Sequence, residues 1–204
     1  NYPEEQTEML PVANNPENES LGSREVPFGR ELYIEREDFM EEPPRKYFRM
    51  FPGNEVRLMN AYFVTCTGCE KDEAGNVTTV HCTYDPASRG GNSPDGRKVK
   101  GTIHWVAARS AIPAQIRLYE NLIDEQKADE QGSIYDENGE LYLNPDSLTV
   151  RQGYLEPAFA GAQAYQRFQF VRQGFFCVDP KDSTRENPVF NRIVSLKSSF
   201  VLPR

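Results

Sequence analysis

The chain has 204 residues, 38% of them hydrophobic and 11% aromatic, which is enough to bury a core in one domain or two small ones and excludes a disordered or fibrous class. No apolar run approaches the ~18 residues of a membrane span. A net charge of −8 argues against a polyanionic partner only until it is divided along the chain: residues 1–42 hold twelve acids against three bases and residues 124–146 hold eight against one, which leaves the remainder at +8.

Residues 1–23 (NYPEEQTEMLPVANNPENESLGS) show no sustained period and are rich in Pro, Asn and Glu, so they are expected to form an extended leading arm. From Val26 short β-rich runs follow one another, separated by turn sequences such as DEAGN, DPASRGGNSPDG and DPKDSTRENP. The runs at 56–66 and 77–84 flank Gly75-Asn76 and predict one long hairpin. Residues 93–106 (SPDGRKVKGTIHWV) predict a turn opening into a strand, with Lys98, Lys100, Thr102 and His104 on one face and Val99, Ile103 and Trp105 on the other. Only short helices are expected, near 36–40 and 157–164. The resulting division is a leading segment over 1–23, a first β region over 24–123, an acidic linker or loop over 124–146, and a second β region over 147–204.

The chemical candidates are few. Cys66 and Cys69 form C-x-x-C, and His81-Cys82 follows on the return strand. Adjacent residues of a strand face opposite ways, so His81 and Cys82 do not readily share a tetrahedral zinc site, and Cys66 and Cys82 read as packing partners; no metal is expected. The two histidines lie in no recognisable catalytic context, and the three glycines of SRGGNSPDG join strands without the helix a phosphate cradle needs. No active site is evident. What remains is basic residues interleaved with aromatics: Arg45, Lys46, Tyr47, Phe48, Arg49, Arg57 and Asn60 in one stretch, Arg167, Gln169 and Arg172 with Phe168, Phe170, Phe175 and Phe176 in another. Such a pattern suits first an ordinary barrel strand with polar outer residues, and after it a surface that stacks and reads unpaired RNA bases. Periodicity does not choose between them. Four cysteines and no signal segment fit a reducing, cytoplasmic setting, and the absence of a leading Met suggests a piece of a longer protein.

GRKVKGTIHWV closely resembles a signature of the anticodon-binding region of glutaminyl-tRNA synthetases, a class I family, and GSREVPFGRELYIEREDF, GNEVRLMNAY, CTYDPAS, IRLYENL, YLEPA, FQFVRQGFFCVD and PVFNRIVSL resemble that family's blocks in the family's order. The resemblance implies an all-β fold of two six-stranded closed barrels, proximal and distal, that exchange N-terminal strands. It implies a glutamine tRNA partner and a catalytic domain elsewhere in the parent chain that uses ATP and Mg, with no cofactor in this stretch and no membrane or DNA partner. By matching blocks, Arg49 takes the position of a reader of the third anticodon base and Arg57 of the first. Gln169 and Arg172 match a pair that pockets the middle uridine, and Lys197 matches a basic residue near the loop backbone. Arg45, Lys46, Asn60, Lys98 and Lys100 are further candidate RNA contacts. Phe48 and Met59 depart from basic residues that the family can carry at those positions. Two alternatives stay open: a glutamyl-tRNA synthetase of archaeal and eukaryotic type, and a stand-alone RNA-binding β-barrel module.

Overall fold

The computed structural model describes residues 1–196, and these fold as an all-β protein of thirteen strands, one α-helix and five short 3-10 helices, two of them at Arg36–Asp38 and Pro157–Gly161 where short helices were expected. They form two compact units. The first comprises Asn1–Ala111 with Glu156–Ala158, and the second comprises Ile112–Leu155 and the chain from Phe159 onward. No helix among the described residues is long and apolar enough to cross a membrane.

In the first unit, β1 (Glu8–Ala13) pairs antiparallel with β2 (Ser23–Phe28), so Leu10 and Val26 meet and both are buried. The leading segment therefore contributes to the core rather than standing off as an arm. Tyr2 packs edge-on against Phe28 and Tyr84, and its hydroxyl donates to Glu8. These contacts join isolated apolar residues to distant partners, so no local period announced them. β3 (Leu32–Ile34) later pairs with a distant strand.

The run expected over 56–66 is two strands, β4 (Glu55–Leu58) and β5 (Phe63–Lys71). Asn60 adopts a left-handed φ of 57°, which short polar side chains tolerate, and the Leu58 N–H bonds the Tyr62 carbonyl across the turn. β5 and β6 (Val77–Asp85) then form the long hairpin, closed where Asp72 accepts from the Asn76 N–H. Cys66 faces Cys82 across it, inside, while His81 meets Glu70 at 2.7 Å on the exposed side, the separation that strand alternation requires. Burial pushes the Cys82 thiol up to about 12, which leaves it inert as a small hydrophobe.

Over residues 97–105 exposure alternates as expected, yet only β7 (Thr102–Ile103) and β8 (Trp105–Ala107) are ladder strands. β7 runs parallel to β4, giving the order β6-β5-β4-β7, and β8 pairs with β3. Val56, Leu58 and Ile103 are almost fully enclosed between these strands, each worth about 1.5–3 kcal/mol of transfer free energy.

The second unit holds β9 (Ile112–Tyr119), α1 (Glu125–Gln131), β10 (Leu148–Leu155), β11 (Arg167–Phe170), β12 (Gly174–Val178) and β13 (Val189–Ser195), in the sheet order β10-β9-β13-β12-β11. β9 and β10 are antiparallel neighbours in register from Tyr119 opposite Leu148. Of the two readings of the acidic stretch 124–146, linker or loop, the structure has the loop: a folded excursion within one hairpin, its helix capped by Asp124 and ended by Gly132. The core gathers Ala114, Leu155, Phe176, Val178 and Phe190. Phe170 stacks on Phe176 at 4.4 Å between centroids. Among the described residues the hydrogen-bonded strands form four sheets, of five, four, two and two strands, none of which closes into a ring.

Candidate nucleic-acid interface

The first group of candidates lies on the first unit, around residues 45–60. Tyr47 and Met50 are buried, and they pin the loop on either side of Phe48-Arg49: the Tyr47 hydroxyl donates to the Glu37 carbonyl at 3.0 Å and the Met50 N–H to the Asp38 carbonyl at 2.9 Å. Arg49 is consequently held in a defined place. Its Nη1 donates to the Glu37 carbonyl at 3.2 Å and sits 3.4 Å from the wholly buried Asp38 carboxylate, while Asn54 caps the Arg49 carbonyl at 2.8 Å. Arg45 and Lys46 are exposed beside it, Lys46 with a left-handed φ of 73°.

Arg57 projects from β4 with its guanidinium carbon 5.4 Å above the Phe63 ring. Among the described residues its Nε is buried without a hydrogen-bond partner, and the aliphatic part of the side chain packs against Gly91. Asn60 is exposed at the turn that follows. Gly101 joins the two arginines: its carbonyl accepts the Arg57 N–H at 2.8 Å, and its α-carbon lies directly against the Phe48 carbonyl.

The basic stretch 97–100 divides into different roles. Arg97 is consumed internally, bidentate to Glu55 at 2.9 Å and bonded to Asp85 and Asp95, with its guanidinium 5.1 Å from the Phe63 ring centroid. Ser93, then the Arg97 backbone and side chain, pull Asp95 down to about 2. Lys98 and Lys100 are exposed, and Lys100 Nζ lies 5.1 Å over the Phe48 ring.

Gln169 and Arg172 lie on the second unit at one end of the β11–β12 hairpin. Gln169 is exposed opposite Phe175, whereas Phe168 and Phe170 turn toward the core. Ideal alternation would send Arg172 with the phenylalanines. Instead the strand ends at Phe170, the Gln173 N–H bonds the Phe170 carbonyl at 2.9 Å, and Arg172 takes a left-handed φ of 66° in the turn. The turn then enters Gly174, whose φ of 149° and close approach to the Val194 carbonyl leave no room for a side chain. Lys197 lies outside the described residues. Sequence reasoning missed the Arg97 clamp, the Glu37–Asp38 seat of Arg49 and the Phe48–Lys100 contact, since each depends on partners far apart in the chain. No group of three or more metal-type side chains converges among the described residues.

Two family models match this chain, both described as the anticodon-binding domain of class I tRNA synthetases (E and Q), over residues 1–85 and 102–179. Among curated proteins, a glutamine–tRNA ligase of Clostridium kluyveri is 57% identical over the whole chain, one of Clostridioides difficile 56% over 98% of it, and one of Clostridium perfringens 55% over 99%. The chain spans 36% of the length of each of these relatives. With both models matching in order and these relatives aligned along nearly its full length, the chain belongs to the anticodon-binding domains of the class I synthetases for glutamate and glutamine.

Proposed function

We propose that this chain reads the anticodon loop of glutamine tRNA for a cytoplasmic parent glutamine–tRNA ligase, whose catalytic domain joins glutamine to the tRNA using ATP and Mg. In this reading the strands of the two units belong to two barrels, proximal and distal, that exchange N-terminal strands. Arg49 and Arg57 serve the third and first anticodon bases, Gln169 and Arg172 the middle uridine, and Lys197 the loop backbone. Arg45, Lys46, Asn60, Lys98 and Lys100 add contacts to phosphates and sugars. One observation carries most weight: the hairpin end between Gln169 and Arg172 breaks the alternation, so the two need not lie on opposite faces of a strand. A carboxamide offers a donor and an acceptor to the uracil edge, and the guanidinium adds charge-assisted donors.

Replacing Gln169 with Ala should reduce discrimination at the middle base by about 1–3 kcal/mol while leaving the other positions unchanged. Arg172→Ala should weaken binding further and lower its salt dependence, because a phosphate attraction is lost as well. Titrating both variants with RNA hairpins altered at each anticodon base, at two salt concentrations, tests this. Equal weakening for every hairpin by Gln169→Ala would assign that residue to structure alone.

A further inference from the structure

We propose that Phe48 and Lys100 together form a stacking subsite for one unpaired base of the bound RNA, an inference that rests on the RNA-reading role above. Phe48 is 50% exposed although Tyr47 before it and Met50 beyond Arg49 are core residues. Its backbone is pinned on three sides: by the Tyr47 hydroxyl on Glu37, by the Asn54 amide on the Arg49 carbonyl, and by Gly101 against its own carbonyl. An aromatic ring presented to solvent from a fixed backbone has little freedom left to lose when a base stacks on it. Single-stranded RNA is held in this way, by aromatic faces beside cations that follow the backbone.

Lys100 supplies the cation. Its ammonium lies 5.1 Å over the ring, and it precedes Gly101, so the contact that fixes Phe48 fixes Lys100 too. Arg97, three residues earlier, is occupied by Glu55, Asp85 and Asp95, whereas among the described residues Lys100 has no carboxylate within ion-pairing distance. Its charge is available to a phosphate flanking the stacked base. A cation–π pair that merely steadied the loop would alter stability and leave RNA affinity untouched.

The test uses the 204-residue chain and an RNA hairpin bearing the glutamine anticodon, with 2-aminopurine at each unpaired loop position in turn. Binding should quench the fluorescence of one position, and Phe48→Ala should abolish that quench and raise Kd about tenfold. Phe48→Trp should retain the affinity, and Lys100→Gln should reduce the log–log salt slope by about 0.7. If the unaltered chain binds and a folded Phe48→Ala variant binds equally well, the subsite is overturned and the RNA-reading role stands. If the unaltered chain does not bind the hairpin, both fall.

Discussion

Gly101→Ala is expected to destabilise the first unit by about 3 kcal/mol or more, the upper end of what overpacking a dense core costs. The backbone of Gly101 has no left-handed φ, so the effect is one of crowding. An added Cβ would fall inside the contact distance of the Phe48 carbonyl oxygen, and 3.1 Å from both the Phe48 carbonyl carbon and Val56 Cγ1. Neither neighbour can give way readily, since one is backbone and the other belongs to a wholly buried side chain on β4. The strain reaches both arginine candidates, because the loop carrying Arg49 and the Arg57 N–H meet at this residue. Denaturant melts should show a lowered midpoint, and whatever folded protein remains should bind anticodon-loop RNA more weakly. A midpoint within about 0.5 kcal/mol of the parent chain would contradict the packing described.

Glu156→Ala should have the next largest effect. This residue returns to the first unit from the end of β10 and is 8% exposed, with Arg24 Nε at 2.6 Å, Arg24 Nη2 at 2.9 Å and His104 Nε2 at 3.8 Å. Burial alone would raise its pKa, but His104 and Arg24 outweigh that and hold it at about 2 against an ordinary 4.5. Truncation strands a half-buried guanidinium, and with Arg24 partly in contact with water the cost should be about 2–3 kcal/mol. The pH dependence has a definite sign. A carboxylate with a depressed folded pKa stabilises fully above its unfolded value and loses that contribution as pH falls from about 4.5 toward 2. Across that window the difference in stability between the parent and Glu156→Gln should shrink. A constant difference would mean that the ion pair contributes nothing.

Local patterns carried the all-β class, the long hairpin at Gly75-Asn76 and the inward pairing of Cys66 with Cys82, because turn chemistry and period-2 alternation are properties of neighbouring residues. They also carried the exposure of Lys98 and Lys100. Three things were beyond them. The parallel pairings of β4 with β7 and of β9 with β13 join segments with no shared local signal. Asn60 turns the chain in the middle of a run whose composition reads as one strand. Arg97 adjoins the basic face of Lys98 and Lys100 in sequence, yet its carboxylate partners come from β4, the end of β6 and its own turn, and only the fold reveals that it is already neutralised. At the candidate interface the residue types were legible, while the seats that aim them were not.

The path of the chain between the units bears on the order of events during synthesis. A ribosome making this sequence finishes Ala111 well before it reaches Glu156, and at ordinary elongation rates the gap is roughly several seconds. Throughout that interval Arg24 is present without its carboxylate, so the first unit waits in a less stable form. β9 must likewise wait for β13, its parallel partner in the middle of the second sheet. Both units therefore mature late, the first when Glu156 emerges and the second only once Val189–Ser195 has followed.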